Sequence, residues 1–345
     1  MRLSQNQIAR DKIAVVVLHY GNAELTRVCL ASLSEAHRAG ARIFVVCNSS
    51  EQEAASVAQD VADLWGDDAS SFVGIPEEVL MFPEVTGQFG GNVQEELKQA
   101  LRSNCVVIAT NRNSGFAAGN NVGGFAALLD SSVEWVWFLN NDTVLEAGSY
   151  RAMQRATLQN PNGILGATVV DMDRPERVQC AGGYSYNPYF TTTTPYLHGK
   201  ARDTLPTAAT VQLDYVFGAS MCIPAQAFRD VGGFCEKYFL YYEEIDFCRS
   251  VARNGYSPVW VPDVVVRHEG GGATESVGEN RIKRDFVQYH ENLSTFIFTR
   301  RHHKMLVPLV LAVRIAAKLP LFAIRGELYL VKSLWRAVRD FLRPA

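Results

Sequence analysis

The stretch Glu134-Trp135-Val136-Trp137-Phe138-Leu139-Asn140-Asn141-Asp142-Thr143 decides how this chain is read. Its apolar run, Trp135 to Leu139, is too short for an independent helix and reads as a buried strand. The run stops at Asn140-Asn141-Asp142, residue types that favour turns because their side chains bond local backbone. A carboxylate at the carboxyl end of a buried strand stands where open α/β sheets bind ligands. There Asp142 either caps the following turn or holds a divalent cation completed by substrate phosphates.

Upstream, Ile13 to Leu18 is another buried-strand pattern, followed by the polar turn His19-Tyr20-Gly21-Asn22. Ala23 to Ala39 carries Leu25, Val28, Leu30 and Leu33 at helical spacing and stops at Gly40. Arg42 to Cys47 gives a further strand, and Asn48-Ser49-Ser50 supplies an N-cap for a helix over Glu51 to Leu64. This β-α-β-α order predicts a parallel sheet with helical crossovers. Neither first turn carries G-x-G-x-x-G or G-x-x-x-x-G-K-[ST], which disfavours a dinucleotide-binding unit and a P-loop. Residues 65 to 104 read as an excursion with a helix over Gln94 to Arg102. Cys105 to Ala109 is the next strand, and behind it comes Asn111-Arg112-Asn113-Ser114-Gly115-Phe116 and then Gly119-Asn120-Asn121. Glycines admit a close ligand, and asparagines offer donors and acceptors to sugar or base edges. The other reading is a helix N-terminus with small packing residues.

Composition is that of a globular protein: 48% hydrophobic and 20% charged over 345 residues. Seven cysteines with no C-x-x-C pair point to a reducing compartment, and no signal peptide is expected in the first residues, whose apolar run Ile13 to Leu18 is short for one. The expected location is cytoplasmic. The net charge of −3 is uneven: from Arg300 onward ten Lys/Arg face only Glu327 and Asp340, a balance of +8 that leaves −11 on the first 299 residues. Only the tail is suited to an anionic surface, and no nucleic-acid partner is expected.

In the second half, Gly148 to Leu158 reads as a helix and Ile164 to Val170 as a strand. Cys180 to Thr210, polar and rich in Tyr and Thr, reads as a flexible loop. Arg174, Arg177, Lys200 and Arg202 either reach a diphosphate or are solvated. Leu213 to Ile223 reads as a strand carrying the small residues Gly218-Ala219. A helix opens at Glu243-Glu244-Ile245-Asp246 and stops at Asn254-Gly255. Acids in a first turn complement the helix dipole, and Asp246 is expected to form a surface ladder with Arg249 and Arg253. Glu243 and Glu244 directly follow an aromatic run, where desolvation raises a carboxyl pKa toward that of a general base. Extended structure from Tyr256 ends at His268, and Gly270-Gly271-Gly272 beyond it can present N–H groups to a phosphate.

Taken in order, His19-Tyr20-Gly21-Asn22, Val46 to Ser50, Asn113 to Phe116 with Asn120-Asn121, Leu139 to Thr143, Val216 to Ala219, Gly232-Gly233-Phe234, Phe239 to Asp246 and His268 to Gly272 resemble the family 2 glycosyltransferases of the GT-A fold. The likeness is greatest to rhamnosyltransferase-type members that build bacterial surface polysaccharides, and it covers roughly residues 13 to 275. It implies a mainly parallel, Rossmann-like sheet flanked by helices. It also implies a nucleotide-sugar donor, dTDP- or UDP-linked, held by His19, Tyr20, Asn22, Asn48, Asn113, Gly115, Phe116, Asn120, Asn140 and Asn141. Asn140-Asn141-Asp142 replaces the family's D-x-D, so the resemblance assigns metal binding to Asp142 and, across the cleft, His268, with Mg2+ or Mn2+ as cofactor. It assigns the base to the second acid of the pair, Glu244, with Glu243 as its rival. Cys47 stands where the family has a base-recognising Asp, and Asn48 is a candidate substitute. Cys235 replaces a second Asp. The activity implied is inverting transfer, of L-rhamnose from dTDP-rhamnose, to a lipid-linked glycan acceptor. The alternative is a catalytically inert GT-A-like scaffold in a polysaccharide assembly complex.

The domain expectation is a catalytic unit over 1–285, with a donor half to about 145 and an acceptor half over 146–285, then an extension over 286–345. Arg281 to Arg301 reads as a helix. Met305 to Ile324 is nearly all apolar, but Arg314, Lys318 and Pro320 interrupt it, which argues against a membrane span. On a helical wheel Arg314, Lys318, Arg325, Lys332, Arg336, Arg339 and Arg343 fall within roughly 60°. The expectation is one basic face lying on the inner-leaflet membrane surface, making the enzyme peripheral. The alternative is a helical hairpin packed on the body with a solvated basic face.

Overall fold

The structure, a computed structural model, describes residues 11–66, 70–75, 91–206, 212–270 and 281–343. Gly271, Gly272 and most of the excursion between 66 and 91 lie outside the described residues. The chain opens β1 (Ile13–His19), α1 (Ala23–Ser32), α2 (Ser34–Arg38), β2 (Arg42–Cys47), α3 (Glu51–Trp65) and β3 (Ser70–Gly74). It continues α4 (Gly91–Ala100), β4 (Cys105–Ala109), α5 (Phe116–Ala127), β5 (Trp135–Asn140), β6 (Thr143–Leu145), α6 (Ser149–Gln159) and β7 (Gly163–Asp171). The sheet runs β3-β4-β2-β1-β5 in parallel. Strands β1, β2, β4 and β5 are covered on both faces, which is why they read as unbroken apolar runs.

Beyond β5 the sheet turns mixed. It adds β12 (Ser220–Pro224) antiparallel, then β7, then β13 (Ser257–His268) parallel to β7, and finally β6 antiparallel to β13. Helix α5 lies flush on the parallel half because its glycines leave room: a Cβ on Gly123 would fall 2.4 Å from a Val16 methyl. On that face Phe125, Phe138, Phe228, Phe234 and Phe247 form the aromatic core, while Trp137, Tyr150 and Met153 pack the other.

Residues 207–210 lie outside the described residues, and 180–206 are not a loop. They contribute β8 (Val178–Ala181) to the main sheet, and β9 (Gly183–Asn187) and β10 (Thr192–Pro195) to a second sheet completed by β11 (Tyr215–Val216). Tyr and Thr are strand formers, and exposed Ser185 alternates with buried Tyr186, so the polarity reflects a solvated face rather than a lack of structure. The strand expected over Leu213 to Ile223 is split into β11 and β12 by Phe217-Gly218-Ala219.

After α7 (Ala225–Val231) and α8 (Glu243–Val251) the chain forms α9 (Arg281–His302), α10 (Val307–Ile324) and α11 (Val331–Leu342). The tail is not one helix in one phase, because Arg325-Gly326 ends α10, with Gly326 at φ +67°. Its basic arc is divided: Arg325, Lys332, Arg336, Arg339 and Arg343 are exposed, whereas the two members within α10 turn inward. Buried Arg314 donates to Asn292 (2.9 Å), Thr191 (3.0 Å) and Glu291 (2.7 Å), and Lys318 donates to Gln288 (2.9 Å) and Glu291 (3.0 Å). Arg336 pairs with Asp285 and Arg339 with Asp340. A buried cation needs partners, and α9 supplies them from residues far back in sequence. Phe296, Phe322, Leu334 and Phe341 fill the space between the three helices.

Candidate active site

Strand pairing brings Asp142 and His268 together. His268 is in register with Thr143, and the Glu269 N–H donates to the Asp142 carbonyl at 3.1 Å. His268 Nε2 then lies 3.4 Å from Asp142 Oδ1, with both side chains largely buried. That oxygen has no hydrogen-bond partner. On the far side of the ring, Nδ1 is 2.9 Å from Gln179 Oε1, and Gln179 Nε2 donates to the His268 carbonyl at 2.8 Å. The second bond fixes which way the Gln179 amide faces. Its oxygen can only accept, so Nδ1 carries a proton.

A direct imidazolium–carboxylate bond would draw the pair to about 2.7–2.9 Å. At 3.4 Å, with Oδ1 unbonded, the arrangement suits two lone pairs directed at a shared cation, with Gln179 orienting the imidazole as metal-site partners do. No cluster of three or more His, Cys, Asp or Glu able to hold a metal occurs among the described residues. Two protein ligands suit a hard ion that keeps phosphate oxygens and water in its remaining positions.

On the other side of β5, Thr26 links two expected donor-site residues. Its hydroxyl is 2.6 Å from His19 Nδ1 and accepts from Asn141 Nδ2 at 2.9 Å. His19 is fully buried, its Nε2 3.5 Å from a Glu53 carboxylate oxygen, and burial depresses the imidazole pKa. Asn22 caps α1 through the Glu24 N–H. Asn48 braces the loop below: it donates to Asn113 and to the Gly115 carbonyl and accepts from the Ser114 N–H. Its amide is therefore committed within the protein and not free to replace the base-reading carboxylate. Cys47 is no substitute either, since burial pushes its thiol up to about 12 and keeps it neutral.

Asn120 also turns inward, donating to the Phe116 carbonyl. Gly115 has φ +89°, and a Cβ there would fall 2.5 Å from the Phe239 carbonyl, which accepts the Phe116 N–H at 2.9 Å. Only glycine permits this seam between α5 and the loop leading to α8. Among the expected donor-side residues Tyr20, Asn22 and Asn113 are exposed and Phe116, Asn140 and Asn141 half-buried, whereas His19, Asn48, Gly115 and Asn120 are buried.

That loop carries strain. Tyr241 and Tyr242 both adopt left-handed backbone, at φ 69° and 74°, directly before Glu243. Glu243 is 3% exposed and its Oε2 has no partner. Burial, and then the neighbouring Glu244 charge, push its carboxyl well above the usual range. Glu244 keeps an open edge and accepts from the Gly218 N–H, and burial pushes it up to about 7. Next to Gly218, the Phe217 ring meets His268 edge-on at 5.4 Å between centroids, so Glu244 stands one residue from the Asp142–His268 pair.

Asp246 is not on a surface ladder. It is 2% exposed, accepts from Tyr238 Oη at 2.9 Å, and lies 2.6 Å from His302 Nε2 and 3.0 Å from Arg301 Nε; Arg249 pairs instead with Asp214. Sequence reasoning passed over Thr26, Gln179 and His302, whose partners are distant in the chain.

Residues 84–289 match the family model described as glycosyltransferase like family 2. The chain is 26% identical over 180 residues to the N-acetylglucosaminyl-diphospho-decaprenol L-rhamnosyltransferase of Mycobacterium tuberculosis, a match covering 49% of this chain and 56% of that protein. It is 27% identical over 146 residues to the low-salt glycan biosynthesis hexosyltransferase Agl10 of Haloferax volcanii, covering 41% and 44%. The chain thus spans about half the length of the curated relatives it matches. Among solved structures, S. aureus TarS 1-349 in complex with UDP-GlcNAc aligns over 96% of this chain and 80% of that one, with a TM-score of 0.50 at 14% identity. A likeness at that identity speaks to fold alone, and the fold is GT-A. A family match over more than half of its length, on a sheet of that design, makes this chain a member of glycosyltransferase-like family 2 and a sugar-transferring enzyme.

Proposed function

We propose that the enzyme is an inverting, metal-dependent transferase moving L-rhamnose from dTDP-rhamnose onto a lipid-linked glycan in cell-surface polysaccharide synthesis. The observation that carries this reading is Asp142 Oδ1, buried, unbonded and 3.4 Å from His268 Nε2. These two residues would hold Mg2+ or Mn2+ together with diphosphate oxygens. Such an ion, when bound, offsets charge developing on the leaving diphosphate.

Glu244 is the base. Its raised pKa suits it to accept the acceptor hydroxyl proton near neutrality, and its open edge admits that hydroxyl. Glu243 is too buried to meet an acceptor and holds the start of α8 in place. Inversion in one displacement needs no protein nucleophile. We assign donor binding to residues up to about 145, with Tyr20, Asn22, Asn113 and Asn140 open to the donor, and acceptor binding to 146–285, with the extension over 286–345 at the inner membrane face. The choice of rhamnose and of a lipid-linked acceptor is supported by the mycobacterial relative, whose name states both.

The test is calorimetric binding of dTDP-rhamnose and UDP-sugars with Mn2+ or with chelator, alongside a transfer assay. Asp142→Ala should abolish transfer and Glu244→Gln should lower it by about 10²–10⁴, and only Asp142→Ala should remove the metal dependence of donor binding. Unchanged metal dependence in Asp142→Ala overturns the metal assignment. No donor hydrolysis across a nucleotide-sugar panel with metal present would favour the inert scaffold.

A further inference from the structure

Helix α10 is amphipathic in the reverse sense. Its charged residues, Arg314 and Lys318, are bound to the body through Glu291, whereas every exposed residue from Met305 to Ile324 is apolar. Met305, Leu309, Ala312, Ala316, Pro320 and Ile324 recur every three or four residues along this outer side, and Met305 and Ile324 are 90% and 84% exposed. A continuous apolar stripe on a soluble surface marks a contact site.

We propose that this stripe is a lipid-docking surface, seated at the interface of an anionic bilayer with α10 parallel to the membrane plane. Within α10 the side opposite Arg314 and Lys318 takes the place of the basic arc read from the sequence, while arc members beyond α10, Arg325 and Lys332, stay exposed. Charge favours a lipid partner. Lys304 and Arg325 bracket the stripe and, with Lys332, form no ion pair among the described residues, in a tail of balance +8 on a body of −11. A second copy would press two such tails together. It would also gain little area: an 18-residue helix is about 27 Å long and about 10 Å wide, roughly a third of the ~800 Å² per partner of a stable interface. Spanning is disfavoured as well, because it would carry Arg314 and Lys318 into hydrocarbon and strip Glu291 of both partners. The helix lies on the membrane, not across it.

The experiment is flotation of the full chain with vesicles of phosphatidylcholine alone or mixed equally with phosphatidylglycerol. No donor is present, so the result is separate from that of the transfer reading. The protein should float with the anionic vesicles, and Leu309→Glu/Ala316→Glu should reduce the bound fraction at least tenfold with an unchanged thermal midpoint. Should that double variant unfold, Ala312→Gln at its open position carries the same expectation in milder form. Arg325→Gln/Lys332→Gln should weaken binding to anionic vesicles and flatten its salt dependence. The proposal is overturned if the unaltered protein stays with the lipid-free fraction, or if the stripe variants float equally well. A dimer abolished by the same variants, in a protein that ignores vesicles, also overturns it, since the stripe would then belong to a second copy.

Discussion

Glu244 and Gly218 compete for one volume: a Cβ on Gly218 would fall 2.1 Å from Glu244 Oε1, while the Gly218 N–H donates to the same carboxylate. The requirement for glycine is steric, since Gly218 is not among the left-handed residues. Gly218→Ala must therefore push the carboxylate aside. Displacing a reacting group by about 1 Å lowers rate by about 100-fold. We expect a kcat drop of that order with donor affinity unchanged, measured by steady-state kinetics and calorimetry. An unchanged kcat removes Glu244 from the reaction.

The same carboxylate sets a pH dependence. As the proposed base Glu244 would have to be ionised to act, so kcat/KM should rise with pH and level off above about 7. Stability runs the other way. A carboxyl raised in the folded state binds its proton more tightly there than when unfolded, so its contribution is present at low pH and is lost as pH rises through about 7. Glu244→Gln should abolish the ascending limb and unfold at higher temperature than the unaltered enzyme at pH 8, yet not at pH 5. Glu243→Gln, at a site closed to substrate, should keep transfer within about tenfold, against a loss of about 10²–10⁴ for Glu244→Gln. Reversed outcomes make Glu243 the base.

Much of this was legible because the signals are local. Trp135 to Leu139 ending in Asn-Asn-Asp, and the β-α-β-α opening, follow from apolar periodicity and turn chemistry within a dozen residues. What escaped has partners far along the chain. Asp246 sits at the correct helical spacing for Arg249 and Arg253, but His302 and Arg301 claim it. The wheel found the phase of Arg314 and Lys318 correctly and assigned their face wrongly, because Glu291 on the preceding helix is invisible to periodicity. The asparagines of the donor half were legible as polar turn residues. That Asn48 and Asn120 spend their amides on neighbouring loops was not.

Gln179 offers a test of the metal reading that leaves both ligands intact. Its side-chain amide bonds the far edge of His268 and that residue's carbonyl. Loss of such a partner lowers metal affinity by about 10–100-fold. Gln179→Ala should raise the Mn2+ concentration for half-maximal transfer by that factor and recover most of kcat at saturating Mn2+. A fall in kcat that excess metal does not rescue would show that Gln179 acts through the fold instead.

Asp246 joins the acid helix to the C-terminal helices, since the Tyr238 hydroxyl, Arg301 and His302 converge on its Oδ1. Removing one member of a buried charged network leaves the others uncompensated and costs about 3–5 kcal/mol. Asp246→Ala should therefore lower the urea midpoint substantially at an unchanged slope. Arg253→Ala, at an exposed position on the same side of the expected ladder, should fall within about 0.5 kcal/mol of the unaltered enzyme. His302→Ala should be intermediate, because Tyr238 and Arg301 still satisfy the carboxylate. It should also reduce transfer, since His302, with Arg301, ties α9 to the helix that opens with Glu243 and Glu244. Equal stability for Asp246→Ala and Arg253→Ala would return Asp246 to the solvated surface and uncouple the extension from Glu243 and Glu244.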